Sequence, residues 1–433
     1  MSANMTMVMT FPRLLLACIV SAGLLPGAAI GQDLQADAVR LERILTENIL
    51  PFWYPGCLDR EDGGYRLNHD LQGRWQGPAP KALVTQARTV WFFSRLAGSR
   101  YGKAEYVAAA RHGFEFLRDR MWDPEQGGFY WQVDAPGTQV LSSDKHLYGQ
   151  AFALYALSEY YAVSRDAAAL KLAHRLFELI ELHAHDSVYG GYHESFRRDW
   201  TPLEDSSASH IGTPNDTKSM NTHLHLMEAV ARYYTVSREP LVRERLRELI
   251  MILSNAVVRK RLGACTDQYH KDWRPLTGPG KEVVSYGHDI ENVWLLMEAT
   301  QSAAVSDGPL LDLYVTLFGY ALDHGYDHEQ GGFFYTGGFG TPALDRRKSW
   351  WVQAEGLVSA LRMYRRTGDT VYRGVFEQTL SWIVDHQVDW THGEWFSWIG
   401  PDGTPSGAKA DPWKGPYHDG RAVLECLELL RGK

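Results

Sequence analysis

Residues 285–291 combine a permissive turn, a histidine and a carboxylate at the predicted start of a helix. Gly287 allows the turn, and the apolar run that begins at Val293 gives the helix a face to bury. His288 and Glu291 are three residues apart, so on a helix they share one face and can touch. The positive end of the helix dipole favours a neutral imidazole, which can accept a proton, and Glu291 can fix its tautomer. A general base has this composition, and so does a capped helix with a buried histidine.

Other helix starts carry polar and aromatic residues of the same kind. His225 has Asn221 or Glu228 as a partner one turn away, and His418 has Arg421. Burying such groups without partners would cost roughly 1–3 kcal/mol each, so their recurrence predicts a functional pocket. Residues of this kind at or just before the helix starts include Arg88, Tyr148, Asn221, His225, His288, Glu291, Trp351, Glu355, Trp413 and His418. Gln86, Lys145, Gln150 and Gln353 stand at the same helix starts and support the same prediction.

Three histidines could also form a zinc tripod. His223 and His225 are two residues apart and point away from each other on a helix, so only His225 can join His288 and His418. Their spacing has no metal-ligand signature. We therefore expect no metal and no other cofactor.

A glycoside hydrolase would instead need two carboxyl groups, for which Glu291 and Glu355 are candidates. Their separation would have to be roughly 5–9.5 Å. Three histidines are more suitable for abstracting a proton next to a carbonyl, because that reaction needs a base whose pKa lies near ambient pH. The composition of the pocket thus favours an isomerase or epimerase.

The elements that must position these residues follow a sixfold pattern. A short glycine signature flanked by aromatic residues recurs, twice in degraded form, and predicts a tight turn that leads into a short extended segment. The six copies are residues 62–65, 126–130, 189–192, 263–265, 330–334 and 393–396. Counted from Gly63, the first glycines of successive copies are 62 to 73 residues apart.

Between the signatures, apolar residues fall at intervals of three and four, which predicts pairs of helices. The predicted helices are 36–50, 81–96, 104–120, 147–162, 166–182, 221–234, 241–256, 289–304, 310–322, 351–366, 371–384 and 419–431. The last helix has a partner only if the first one closes a ring with it. The pattern therefore predicts an all-α fold, an (α/α)6 barrel of six helical hairpins. A solenoid is the alternative, but it would not need the first helix to match the last.

The N-terminus has the features of an export signal. Arg13 precedes an apolar run over residues 14–25, and small residues resembling a cleavage site follow, so we expect residues 1–31 to be a signal peptide. Residues 32–433 would then form a single catalytic domain that is periplasmic or secreted. The run is too short to span a bilayer.

The net charge argues against nucleic acid and acidic membranes as partners, and the cysteine content argues against a disulfide framework. The net charge of −8 gives no basic surface for nucleic acid or for acidic membranes. Cys57, Cys265 and Cys426 are widely separated, which is neither a disulfide framework nor a metal site. One disulfide or three buried thiols are both compatible with this spacing. We expect a monomer.

Four motifs in the order of the chain resemble those of the cellobiose 2-epimerases, which belong to the N-acylglucosamine 2-epimerase superfamily. They are residues 145–152, 221–225, 285–291 and 413–421. The resemblance covers nearly all of residues 32–433 and implies an (α/α)6 barrel without a metal. It also implies reversible epimerisation at C2 of the reducing-end glucose of β-1,4-linked disaccharides. The export signal differs from the more familiar members and leaves cellobiose and mannobiose open as the physiological substrate.

The resemblance implies catalysis by His225, His288 and His418. The matching positions implied for substrate binding are Arg88, Tyr148, Asn221, Glu291, Trp351, Glu355 and Trp413. We hypothesise that ring opening exposes the C1 aldehyde and that a histidine removes the C2 proton to give an enediolate. An N-acetylglucosamine 2-epimerase or a mannose-type aldose–ketose isomerase is the alternative within this fold. A glycoside hydrolase and a non-catalytic sugar-binding protein are the alternatives from other classes.

Overall fold

The computed structural model describes residues 27–278 and 280–432, and within these ranges the helices form two concentric rings. The inner helices are α3 (Leu83–Ala97), α5 (Leu147–Ser164), α7 (Met220–Ser237), α9 (Tyr286–Ala303), α11 (Trp350–Thr367) and α13 (His418–Arg431). The outer helices are α1 (Gly27–Arg43), α4 (Ala104–Phe116), α6 (Ala167–His183), α8 (Pro240–Met251), α10 (Leu311–Gly325) and α12 (Thr370–Trp382). A short helix, α2 (Leu50–Trp53), follows α1.

Consecutive inner helices pack side by side, and α13 returns to α3, so the inner ring is closed. Helix α1 packs against α13 and thereby completes the last pair, as predicted. The predicted (α/α)6 barrel is confirmed. Several outer helices end in a π-helical segment, and a 3-10 turn at Gly308–Leu310 precedes α10. The π-helical segments are Ile44–Ile49, Leu117–Met121, Ile252–Ala256 and Ile383–Gln387.

Short antiparallel strands surround the N-terminal ends of the inner helices. They form the sheets β1-β2-β3, β4-β5, β6-β9, β7-β8, β10-β11-β12 and β13-β14-β15. The strands are β1 (Lys81–Ala82), β2 (Gln132–Val133), β3 (Val140–Ser142), β4 (Lys145–His146), β5 (Ser195–Phe196), β6 (Lys218–Ser219), β7 (Val258–Arg259), β8 (Ala264–Cys265), β9 (Gln268–Tyr269), β10 (Val283–Ser285), β11 (Thr336–Gly338), β12 (Ala343–Asp345), β13 (Lys348–Ser349), β14 (Trp398–Ile399) and β15 (Pro405–Ser406). All six inner helices therefore start at one mouth of the barrel.

The glycine signatures form the predicted turns. Residues seven apart pair across each turn: Leu58 with Tyr65, Trp122 with Phe129, His185 with Tyr192, Val258 with Cys265, Tyr326 with Phe333, and Val388 with Trp395. The first glycine has positive φ in every copy, a conformation that glycine adopts at little cost.

Five of the six turns are held by a buried aspartate and lysine, which we call the Asp–Lys clamp. The aspartate accepts backbone N–H groups of its own turn, and a lysine just before the inner helix donates to its second oxygen at 2.6 to 3.1 Å. The pairs are Asp59–Lys81, Asp123–Lys145, Asp186–Lys218, Asp327–Lys348 and Asp389–Lys409. In the last repeat the clamp lysine, Lys409, comes five residues earlier than in the others, and Lys414 stands where they have the clamp lysine. The lysine positions of the six repeats are therefore 81, 145, 218, 284, 348 and 414. The fourth turn has Arg259 and Val284 at these positions, so both partners are replaced together.

The other end of the inner ring carries alternating charges, which we call the far-end ring. Its members each lie fourteen residues after the lysine position of their repeat: Arg95, Glu159, Arg232, Glu298, Arg362 and Glu428. They pair between neighbouring helices, with N–O distances of 2.7 Å for Arg95–Glu428, 2.5 Å for Arg232–Glu159 and 3.9 Å for Arg362–Glu298. These ion pairs link the inner helices at the end opposite the strands.

The predicted signal peptide, residues 1–31, lies largely outside the described residues, which begin at residue 27. Among the described helices, none combines the length and the apolar character that crossing a bilayer requires. Cys57, Cys265 and Cys426 are buried free thiols. Of the two possibilities that their spacing left open, one disulfide or three thiols, the structure therefore shows three thiols.

Candidate active site

Six side chains at the same position of the six inner helices form one layer across the barrel, which we call the central layer. Each lies seven residues after the lysine position of its repeat: Arg88, Phe152, His225, Glu291, Glu355 and Arg421. All six are buried. Arg421 on α13 hydrogen-bonds Glu228 on α7, the helix directly across the ring, so the layer crosses the barrel axis.

Arg421 is the only described cation that bonds the three carboxylates around the axis. One arm of its guanidinium donates to Glu228, and the other donates to Glu291 and Glu355 at 2.7 Å each. Burial alone would raise the pKa of Glu228, but the charge of Arg421 together with the hydrogen bonds from His225 and Tyr417 lowers that pKa to about 2. Burial raises the pKa of Glu291, and the neighbouring charge of Glu355 raises it further.

His418 is paired with a carboxylate on the adjacent helix. Its Nδ1 lies 2.6 Å from Oε1 of Glu355, whose other oxygen accepts the indole N–H of Trp294 at 2.9 Å. The prediction that Arg421 partners His418 is wrong, because Arg421 binds the carboxylate of Glu355 instead of the ring. Burial lowers the pKa of His418 well below its usual value, and the charges of Arg88 and Arg421 add to this effect.

His288 lies in the first turn of α9, as predicted, and the Ser285 hydroxyl accepts its backbone N–H at 3.4 Å. The prediction that Gly287 forms a turn before the helix is wrong, because α9 already begins at Tyr286. The prediction that Glu291 orients its ring is wrong: Oε1 of Glu291 binds Arg421, and Oε2 has no partner among the described residues. The full charge of a buried guanidinium is a stronger partner for the carboxylate than a neutral ring. The His288 ring instead packs on Trp351, with centroids 4.8 Å apart. Burial lowers its pKa to about 3.

His225 has the partner that its spacing predicts. Its Nδ1 lies 3.0 Å from Oε2 of Glu228, one turn further along α7. Asn221 is half-buried, and its Oδ1 has no protein partner among the described residues. His223 points away from the pocket, since its Nδ1 donates to the backbone oxygen of Ser219 and its Nε2 accepts the backbone N–H of Tyr192. The prediction that only His225 of this pair faces the pocket is confirmed.

The remaining predicted residues lie around the same space. Arg88 donates to the Tyr148 hydroxyl at 2.9 Å and to the backbone oxygen of Trp413 at 3.3 Å. Trp351 is half-buried, and Trp413 is 42% exposed, so both can border an opening. The Trp351 ring packs against both histidine rings, with centroid separations of 4.8 Å to His288 and 5.8 Å to His418. The two histidines therefore flank one aromatic surface.

Some of the polar residues that supported the pocket are structural. Gln86, Gln150 and Gln353 each bind the backbone N–H and C=O of the aromatic residue in a glycine turn, and Lys145 belongs to an Asp–Lys clamp. Their recurrence reflects the repeated turn, so the prediction was wrong for these four. The residues with chemical potential are those that differ between repeats. The sequence reasoning missed Phe152 and also Tyr417, whose hydroxyl donates to the Glu228 carboxylate at 2.7 Å. Counting seven residues from each lysine position would have found Phe152.

Glu291, Glu355 and His418 place possible metal-ligand atoms within 4.8 Å of one another. Two of these groups already share the Arg421 guanidinium, whose positive charge occupies the place of a cation. The carboxylate–cation arrangement is therefore complete without a metal. Nδ1 of His225 is bound to Glu228, and Nδ1 of His418 is bound to Glu355. The zinc tripod considered from the sequence would therefore have to use Nε2 of both rings.

Two buried imidazoles, each paired with a carboxylate at one mouth of a helical barrel, form a site suited to proton transfer. The family model of N-acylglucosamine 2-epimerase (GlcNAc 2-epimerase) matches residues 63–422. A Bacteroides fragilis protein named cellobiose 2-epimerase is 34% identical over 398 residues, which is 90% of this chain and 97% of that protein. The chain belongs to the N-acylglucosamine 2-epimerase family, and the protein is a carbohydrate epimerase or isomerase.

Other relatives agree with this assignment. The solved structure of cellobiose 2-epimerase from Spirochaeta thermophila has a TM-score of 0.82 and 34% identity, covering 92% of this chain and 98% of that one. A D-mannose isomerase from Marinomonas mediterranea is 25% identical over 399 residues, 89% of this chain and 95% of that protein. The family thus includes proteins named for epimerisation and for isomerisation, and the substrate has to be argued separately.

Proposed function

We propose that this protein reversibly epimerises C2 of the reducing-end glucose of β-1,4-linked disaccharides, converting cellobiose to glucosylmannose or acting on mannobiose. The observation that carries the proposal is the His418–Glu355 pair, which shares the Trp351 surface with His288. The relatives named cellobiose 2-epimerase support the disaccharide substrate. Two rim tryptophans, Trp351 and Trp413, offer faces on which sugar rings can stack.

Ring opening is the first step. The O5–C1 bond breaks, the C1 hydroxyl gives up its proton and O5 takes one, which exposes an aldehyde. His225 can carry this proton, because Glu228 holds its Nδ1 and so fixes the tautomer and supports the cationic form. The Asn221 amide, whose oxygen has no partner among the described residues, can hold a sugar hydroxyl.

Proton abstraction from C2 is assigned to His418. Glu355 binds Nδ1, which leaves Nε2 as the nitrogen that can accept the C2 proton. The Glu355 carboxylate then stabilises the imidazolium that forms, as in other histidine–carboxylate pairs. His288 has no carboxylate partner among the described residues and is neutral at rest, so the proton that it delivers is one that it takes up from solvent after C2 has lost its own. This difference suits His288 for returning a proton to the opposite face of C2, and the two roles exchange in the reverse direction.

The enediolate that forms carries negative charge on the C1 and C2 oxygens. Arg88 is the buried guanidinium at this end of the site, and its cationic face lies 4.1 Å from the centroid of Phe152. Preorganised donors of this kind are usually the largest contribution to catalysis. The bonds to Tyr148 and to the backbone of Trp413 hold Arg88 in place before substrate arrives.

The test is to incubate the purified protein separately with cellobiose, mannobiose, N-acetylglucosamine and mannose, and to identify the products by chromatography. We expect glucosylmannose from cellobiose and an epimer from mannobiose. Fructose formed only from mannose would favour the isomerase alternative, and N-acetylmannosamine formed only from N-acetylglucosamine would favour the acylglucosamine epimerase. Free glucose from cellobiose would mean hydrolysis, and no product from any sugar would favour a binding protein. His288→Ala and His418→Ala serve as inactive controls.

We further propose that the chain is exported with residues 1–31 removed, and that residues 32–433 act as a monomeric single domain. Arg13 and the apolar run over residues 14–25 support export. N-terminal sequencing of protein recovered outside the cytoplasm should begin near Gln32. A mature chain that begins at Met1 would contradict this, and light scattering tests the monomer.

A further inference from the structure

Glu394 occupies a position where four other turns have glycine. The residues that directly follow the first glycine of the six signatures are Gly64, Gly128, Gly191, Ala264, Gly332 and Glu394. Glu394 has φ of 63°, the left-handed region that a residue with a side chain rarely adopts. Such conformations persist where the surrounding structure requires them, so the glutamate side chain has to be accounted for.

A second substitution makes room for that side chain. In three of the other turns a glutamine from the inner helix fills the space: a Cβ on Gly64 would lie 2.7 Å from Oε1 of Gln86, and a Cβ on Gly332 would lie 2.6 Å from Oε1 of Gln353. The corresponding residue of the last repeat is Asp419, which is shorter by one methylene. The last turn has therefore exchanged the glycine–glutamine pair for a glutamate–aspartate pair.

The Glu394 carboxylate joins three parts of the chain. Oε1 accepts Lys414 Nζ at 2.6 Å, and Oε2 accepts the indole N–H of Trp53 at 2.5 Å. Glu394 and Lys414 are both fully buried. Lys414 Nζ also donates to the backbone oxygens of Trp395 at 3.0 Å and Lys409 at 3.2 Å, so its three protons are all used.

Lys414 is the buried anchor of the segment 411–417, which brings two site residues into place. Oδ1 of Asp411 accepts the backbone N–H groups of Trp413 and Lys414 at 2.7 and 2.8 Å, which ties the rim tryptophan to the anchored lysine. The backbone oxygen of Trp413 accepts Arg88, and the segment leads directly into His418. Lys414 Nζ also lies 5.7 Å from the Trp350 ring, which meets the His418 ring edge-on at 6.3 Å.

We propose that the Glu394–Lys414 ion pair is a latch that fixes segment 411–417, so that Glu394 is a positioning residue for Trp413 and His418. The left-handed conformation of Glu394 is retained because only a carboxylate at this point reaches both Lys414 and Trp53. The catalytic part of this inference rests on the proposed function, whereas the latch itself can be tested without substrate.

The test compares Glu394→Gly and Lys414→Met with Lys81→Met. Glu394→Gly installs the residue found in four of the other turns, and Lys81 is another buried lysine, whose bonds go to Asp59 and Gly63 of the first turn and not to segment 411–417. We expect the first two variants to lose roughly 10²-fold in kcat with KM changed by less than about threefold, because the reacting geometry shifts while sugar contacts remain. Lys81→Met should lower Tm but keep kcat within about twofold of wild type.

Hydrogen exchange of the peptide that contains residues 411–417 provides a readout without substrate. It should accelerate in Glu394→Gly and Lys414→Met and stay unchanged in Lys81→Met. Glu394→Gln keeps an oxygen that can accept Lys414, so its kcat should be higher than that of Glu394→Gly. If Glu394→Gly does not fold, the glutamine variant still tests the proposal. Unchanged kcat and exchange in Lys414→Met, equal losses in Lys81→Met, or no recovery by the glutamine variant would each overturn the latch. An inactive wild-type protein with the expected exchange pattern would instead count against the proposed function.

Discussion

Replacing Arg421 tests whether one buried cation organises the site. In Arg421→Met, the carboxylates of Glu228, Glu291 and Glu355 stay buried and lose the guanidinium that binds all three. Removing one partner of a buried ion pair costs about 3–5 kcal/mol, so we expect the free energy of unfolding to fall by about that amount. The pKa of Glu228, which Arg421 helps to hold at about 2, should rise at the same time.

Arg421→Lys separates charge from geometry. A lysine keeps the positive charge but not the planar fork that reaches Glu228 on one side and Glu291 and Glu355 on the other. Losing charge-assisted hydrogen bonds should lower the free energy of unfolding by about 1.5–3 kcal/mol. Since both histidine–carboxylate pairs share this guanidinium, kcat on cellobiose should fall by roughly 10²-fold.

The matched control is Arg362→Lys. Arg362 is also on an inner helix and binds a carboxylate, Glu425, at 2.9 Å, but it lies in the far-end ring. Urea unfolding followed by circular dichroism gives the stability, and the cellobiose assay gives kcat. The control should lose stability in the same range and keep its kcat. If Arg421→Lys also kept wild-type kcat, or if the control lost as much activity, Arg421 would have no specific role in the site.

Three further predictions follow from single contacts. Glu355→Gln should lower kcat by roughly 10²-fold, because the His418 imidazolium loses its charged partner. This loss is at the lower end of what general acid–base catalysis contributes. A kcat near wild type would remove Glu355 from the mechanism. Burial lowers the pKa values of His288 and His418, so these bases stay deprotonated as pH falls. The acid limb of the pH profile of kcat/KM should therefore have its midpoint below pH 6.5, and a midpoint above 6.5 would contradict this. In the far-end ring, Glu159→Gln should lower the free energy of unfolding in urea by about 1.5–3 kcal/mol, because Arg232 loses its charged partner. A double variant that exchanges the residues, Glu159→Arg with Arg232→Glu, should recover part of the lost stability.

The barrel could be predicted because its evidence is periodic. Each hairpin repeats the same alternation of apolar residues and the same glycine turn, so one error in a boundary does not change the architecture. The closure of the ring was predictable from the unmatched last helix, which needed residues 36–50 as a partner. The Asp–Lys clamps were also visible in principle, because aspartate and lysine are lost together in the fourth repeat.

The partners of the histidines were less predictable, because the decisive contacts run between helices. Spacing along one helix found His225–Glu228 but assigned Glu291 to His288, which the structure contradicts. Arg421 lies 130 residues from Glu291 and 193 from Glu228, and no local pattern shows that it reaches both. The same limit applies to His418, whose carboxylate is 63 residues away.

The central claim is that histidines exchange the C2 proton with solvent through an enediolate. The most direct measurement is proton NMR of cellobiose incubated with the protein in D2O. The mechanism predicts loss of the C2 proton signal of the reducing-end sugar as glucosylmannose forms, with exchange abolished in His418→Ala. Glucosylmannose that retains its C2 proton would contradict the histidine-mediated exchange.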